Sequence, residues 1–197
     1  MKYLYTNGCS FTEGVDLENP LKERWSKRLS ENLSLKGINE GLGGGSNQRI
    51  MRKTIDWIVS NPNKIMETLF VIQVTYPSRY ETYDENKDTF ERENWTGLNS
   101  YEDITFRYIL YLHSLLSRYK IKHLFFDIDL EILKTLLLSP YGKFCYNSNF
   151  YTDKTMLQYC EYEINHADVT NAPHPNKKCC EGWANILTKY IKDNIYV

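Results

Sequence analysis

Leu69 to Thr75 is an unbroken run of β-type side chains, set between stretches of helical periodicity. A strand of that composition needs both faces covered. Helices flanking it in the chain supply that cover, which restricts the fold to an α/β architecture with a mainly parallel sheet. Other segments fit the same frame. Lys2 to Thr6 reads as a short strand stopped by Asn7-Gly8, Ile38-Asn39 as a minimal strand, and Ile121 to Asp127 as another. Asn19-Pro20 opens a helix, with proline where no N–H is needed. Leu21, Trp25, Leu29 and Leu33 follow at a spacing of four and predict one buried face, and Lys36-Gly37 ends the helix. Ser46 or Asn47 caps the next helix, with Ile50, Met51, Thr54, Ile55 and Ile58 as its inner stripe. Tyr101, Ile104, Tyr108, Leu112, Leu115 and Tyr119 step at three and four and predict a third. Glu131 to Leu138 reads as a short helix and residues 139–176 as mostly irregular. A last helix begins near Asn176 and packs Cys180, Trp183, Leu187 and Tyr190.

No repeat or linker divides the 197 residues, so a single domain over 1–197 is expected. Residues 76–99 carry charge without periodicity and are expected to form an insertion or lid. The balance of 24 Lys+Arg against 25 Asp+Glu gives no basic excess for a nucleic acid partner. Apolar runs are far too short to cross a bilayer, and the first residues lack the apolar core of a signal peptide. Five cysteines without metal-type spacing fit a reducing compartment. The expectation is a cytoplasmic protein with no membrane partner and no metal; oligomeric state is left open.

In open α/β sheets the site lies beyond the carboxyl ends of the strands. That rule gathers Gly8 to Ser10, the Gly41–Ser46 loop, Thr75 to Arg79 and Asp127 to Asp129 at one edge. A serine directly after the first strand is a nucleophile candidate or a helix cap. The glycine loop reads either as a distant dinucleotide fingerprint lacking its third glycine or as N–H groups aimed at an oxyanion. Among the histidines, His113 sits one position off the helical seam, which suggests a surface or boundary role. His123 reads as structural, and His166 has no recognisable frame. His174 stands between Pro173 and Pro175, a rigid setting suited to a general base.

Gly8-Cys9-Ser10 with Gly14, the glycine loop after Asn39, and His174-Pro175 before the last helix resemble the SGNH (GDSL-like) hydrolases in order and spacing. The resemblance runs from residue 3 to about 190. It implies a three-layer α/β/α, flavodoxin-like sheet and a serine esterase that needs no cofactor. Ser10 would be the nucleophile and His174 the base. Gly44, with Gly45 beside it, would supply the oxyanion N–H. The block that usually ends a strand in Asn-Asp reads Gln73-Val74-Thr75-Tyr76 here, so Thr75, or Gln73 in another register, takes the amide's place. Asn171 occupies the Asp position three before the histidine. An Asn cannot stabilise an imidazolium by charge. A Ser-His dyad oriented by a main-chain carbonyl, or substitution by Asp168, are the alternatives. Arg79 and the neighbouring tyrosines suit a sugar or anionic substrate, so the expected partner is a small-molecule or glycan ester. The rival reading is a catalytically silent SGNH-like binding module.

Overall fold

The computed structural model describes residues 1–84, 89–94, 101–129, 131–163 and 174–196. The chain begins with β1 (Tyr3–Asn7), α1 (Ser10–Glu13), α2 (Pro20–Glu23) and α3 (Trp25–Asn32), followed by β2 (Lys36–Asn39), α4 (Asn47–Ser60) and β3 (Thr68–Val74). A hairpin of β4 (Arg79–Asp84) and β5 (Thr89–Asn94) precedes α5 (Tyr101–Arg118). Then come β6 (His123–Asp127), α6 (Ile132–Leu138), β7 (Phe150–Tyr151), α7 (Met156–Gln158) and α8 (Lys177–Asn194).

Five strands pair in the order β2-β1-β3-β6-β7, all parallel. The chain first steps from β1 to one side and then returns to the other. The crevice between the carboxyl ends of β1 and β3 is therefore the topological switch point, where such sheets bind ligands.

All seven residues of β3 are buried, and successive side chains go to opposite faces. Leu69 and Val71, with Leu124 and Phe126 of β6, pack on Trp25 and Leu29 of α3 and on Trp183, Leu187 and Ile191 of α8. Phe70, Ile72 and Phe125 pack on Ile50 of α4, on Phe106, Ile109 and Leu116 of α5, and on Leu133 of α6. The result is the expected three-layer α/β/α architecture.

Local expectations fare less evenly. The helix opened by Pro20 breaks at Arg24, whose ψ of 147° is extended. Leu21 lies ahead of that break and is 69% exposed, so it leaves the expected face. The buried face of α5 is Thr105, Phe106, Ile109, Leu112, His113 and Leu116, whereas Ile104 and Tyr119 are exposed. Counting tyrosines as core rotated the expected stripe; their hydroxyls favour the wet boundary. His113 is thus buried, not at the surface. Its partners form one consistent relay. The Tyr146 N–H donates to His113 Nε2 at 3.3 Å, His113 Nδ1 lies 2.8 Å from His123 Nε2, and His123 Nδ1 lies 2.7 Å from the Ile121 carbonyl. Those distances fit two neutral rings, each protonated on Nδ1.

Part of the expected structureless stretch 76–99 is an antiparallel hairpin, with Arg79 opposite Asn94 and Asp84 opposite Thr89. Its pairing rests on backbone bonds, which an apolar-periodicity reading does not detect. Arg52 of α4 ties the hairpin down through Glu81 at 2.9 Å. The fifth strand, β7, lies in the stretch read as irregular, and two residues are too short to show a period. Among the described residues, no helix is long and apolar enough to cross a membrane.

Candidate active site

Ser10 is the first residue of α1 and is 7% exposed. The strand before it is locked from the side: Asn7 Nδ2 donates to the Ile50 carbonyl at 3.1 Å, and its Oδ1 accepts the Gly8 N–H at 2.9 Å. A Cβ at Gly8 would collide with Thr12 and Gln73, so the turn into α1 has room for glycine alone. Gln73, fully buried on β3, accepts from the Thr12 hydroxyl. Its Nε2 donates to Cys9 Sγ at 3.2 Å. Gln73 thereby braces the rear of the serine turn. Ser10 Oγ itself makes one polar contact among the described residues, to Cys9 Sγ at 3.9 Å.

The glycine loop lies against this turn. Asn39 Nδ2 donates to the Thr12 carbonyl at 2.7 Å, and its Oδ1 accepts the Gly41 N–H at 2.8 Å. A Cβ on Gly41 would sit 2.7 Å from the Glu13 nitrogen, and one on Gly43 would sit 3.9 Å from Ser10 Cβ. The Gly43 N–H donates to Glu13 Oε2 at 2.5 Å, and the Gly45 N–H to the Leu42 carbonyl at 2.8 Å. Gly44 takes a left-handed φ of 70°. Its N–H has no protein acceptor among the described residues. The loop ends at Ser46, whose hydroxyl accepts the Arg49 N–H at 3.1 Å and caps α4.

On the other side of the switch point, the Asn47 amide clamps the main chain of Thr75. Its Nδ2 donates to the Thr75 carbonyl at 2.8 Å, and its Oδ1 accepts the Thr75 N–H at 2.9 Å. Thr75 Oγ1 accepts from Arg79 at 2.9 Å, while the Arg79 guanidinium lies 4.9 Å from the centroid of the Tyr76 ring. The Tyr76 hydroxyl reaches Asp129 at 3.3 Å, and burial together with that carboxylate pushes the phenol up from its ordinary value.

His174 meets the serine turn from the far end of the chain. Its ring packs edge-on against Phe11, with centroids 5.5 Å apart, and its Nδ1 lies 2.6 Å from Asp16 Oδ2. No hydrogen bond joins Ser10 Oγ to His174 among the described residues. Asn171 and Asp168, like His166, lie outside the described residues. Glu13 and Asp16 have clear structural parts here that sequence reasoning did not assign, and Asn47, a cap candidate in the sequence, clamps Thr75 while Ser46 caps the helix. A turn-forming Gly-Cys-Ser-Phe-Thr-Glu-Gly segment and an Asn beside a helix cap were the available signals.

Serine, histidine and a glycine loop around the β1/β3 switch point invite comparison with solved folds. The chain matches a member of the lipolytic G-D-S-L family from Veillonella parvula DSM 2008 over 98% of its own length and 97% of that protein, at TM-score 0.55 and 14% identity. The chain has an SGNH-like fold. An acetyl xylan esterase, Est2A, from the rumen bacterium Butyrivibrio proteoclasticus shares the SGNH fold at TM-score 0.64 and 11% identity, over 98% of this chain and 64% of the esterase. A two-domain esterase active on acetylated mannans shares it at TM-score 0.62 and 13% identity over 98% of this chain, which spans 48% of that esterase. At such identities the SGNH likeness is one of fold, and fold leaves the chemistry to the site. No family model and no curated protein matches the sequence.

Proposed function

We propose that this chain is a serine ester hydrolase. What supports the reading is Ser10 on the turn at the switch-point edge of an SGNH-like fold, with His174 packed on the adjoining Phe11 and a nearby Gly44 N–H that has no protein acceptor among the described residues. In the proposed reaction Ser10 Oγ attacks an ester carbonyl while His174 Nε2 takes its proton. The Ser10 and Gly44 N–H groups receive the oxyanion, and the Thr75 hydroxyl is a third donor in reach of the same edge. Collapse of the tetrahedral intermediate expels the alcohol, which takes the proton from His174. Water, activated by the same imidazole, then attacks the acyl-serine, and the acid leaves as Ser10 recovers its proton. In this scheme Gln73 supports the turn from behind, since its amide is bound to Cys9 and Thr12.

Acylated carbohydrate is the substrate class this reading favours. Arg79 stacked on Tyr76 gives a planar, hydrogen-bonding surface beside Thr75, and two of the fold relatives are esterases of acetylated mannans and xylan. The hairpin that starts at Arg79 then acts as a specificity segment. The test is hydrolysis of 4-nitrophenyl acetate and of acetylated xylan. Wild-type protein turns over at least the small ester, and Ser10→Ala is inert. That Ser10 Oγ contacts only Cys9 Sγ among the described residues favours a second reading, a silent binding module; absence of turnover in both proteins selects it.

A further inference from the structure

We infer that Asp16 is the carboxylate that orients His174, a role Asn171 cannot fill by charge; this rests on the serine hydrolase reading above. The geometry is direct. Asp16 Oδ2 lies 2.6 Å from His174 Nδ1, a short charge-assisted contact. A carboxylate accepting from Nδ1–H fixes the tautomer whose lone pair is on Nε2, the form able to take a serine proton. It also stabilises the imidazolium that forms when the proton arrives.

Asp16 is delivered by the same turn that carries the nucleophile. The Gly14 and Val15 N–H groups both donate to the Ser10 carbonyl, at 2.9 and 3.1 Å, and the Leu17 N–H donates to the Gly14 carbonyl at 3.3 Å. Gly14 at φ 91° and Asp16 at φ 66° reverse the chain through left-handed conformations, which glycine adopts freely and aspartate tolerates better than most residues. A Cβ on Gly14 would meet Arg24, Leu17 and Pro20 at 3.0 to 3.3 Å, so the turn is seated on the start of α2 and α3. Ser10 and Asp16 are thus parts of one braced loop, and the base is docked onto it from the α8 side, where Pro175 follows the histidine and Asn176 caps the helix through the Cys179 N–H at 2.9 Å.

The contact adds little to stability by itself. The Asp16 side chain is 48% exposed, and exposed pairs contribute little to folding. Orienting an imidazole next to the nucleophile requires position more than binding energy, which an exposed carboxylate on a rigid turn supplies. Its removal leaves the fold standing, so the variants report on chemistry.

Asp16→Asn, Asp16→Glu, Asp168→Asn and Ser10→Ala are compared by kcat and KM on 4-nitrophenyl acetate, each first checked for a wild-type melting curve. The expected result is a kcat lower by about 10² to 10⁴ in Asp16→Asn with KM unchanged, partial recovery in Asp16→Glu, and little effect of Asp168→Asn. Wild-type kcat in Asp16→Asn, with Ser10→Ala inert, overturns the role of Asp16 and leaves the hydrolase reading intact. Loss of kcat in Asp168→Asn with none in Asp16→Asn assigns the role to Asp168 and overturns it equally. Wild-type turnover in Ser10→Ala overturns the hydrolase reading itself and the inference with it.

Discussion

Replacing Asp127 with asparagine keeps the shape of a buried carboxyl group and removes its titration. Asp127 ends β6 and is 4% exposed. Its Oδ2 accepts the Leu133 N–H at 2.8 Å, and its Oδ1 is buried with no partner among the described residues. Burial, with the charges of Glu131 and Asp129 adding to it, pushes the carboxyl up to about 8 from an ordinary 3.8. The unfolded chain loses this proton near 3.8 and the folded chain near 8. Stability from this group is therefore full below the lower value, falls as pH rises through the window, and is level above it. At about 1.36 kcal/mol per tenfold change in ionisation constant, the whole loss is about 6 kcal/mol. Relaxation around the ionised group reduces it to on the order of 3 kcal/mol. An asparagine keeps the Leu133 bond through its amide oxygen and carries no charge at any pH. Urea unfolding at pH 5 and pH 9 is the assay. Because the part of the loss between 3.8 and 5 lies below the lower assay pH, the variant gains on the wild type by about 2 kcal/mol between the two, and equal gaps at both pH values refute a protonated, buried Asp127.

Two further expectations concern the scaffold. Burial holds His113 and His123 down to about 4 from an ordinary 6.5, so their contribution is complete above 6.5 and is lost as pH falls toward 4. In the Asp127→Asn background, where the opposing carboxyl is gone, stability drops by up to about 3 kcal/mol for each of the two rings over that range; a flat urea midpoint there contradicts the neutral relay. Gly8→Ala drives a Cβ to 2.8 Å from Gln73 Cβ and closer still to Thr12, which costs about 1–3 kcal/mol in a melting experiment and lowers ester turnover by displacing α1.

The sheet and its two helical layers were legible because burial on both sides leaves a mark in the sequence. Leu69 to Thr75 has no alternation, and the strand it forms is buried throughout. Family-like order and spacing singled out Ser10, His174 and the Gly41–Ser46 loop as candidates, and the loop and His174 both pack against the turn that carries Ser10. Other features leave no such mark. Tyr119 and Phe106 are both aromatic, and only packing decides that the second is core and the first exposed. The Arg79–Asp84 hairpin is held by main-chain bonds and by a charged anchor at Glu81. Asp16 is a polar residue in a turn, 158 positions from the histidine it meets; only the folded topology makes them neighbours.

The central claim is that Ser10 is an activated nucleophile. A fluorophosphonate probe phosphonylates such a serine without requiring any particular ester, so it is independent of the unknown acyl group. Intact-mass and peptide mass spectrometry after labelling locate the adduct. The account predicts one adduct on the peptide containing Ser10, absent in Ser10→Ala and formed far more slowly in His174→Ala. No adduct on folded wild-type protein, or an adduct that persists in Ser10→Ala, contradicts it.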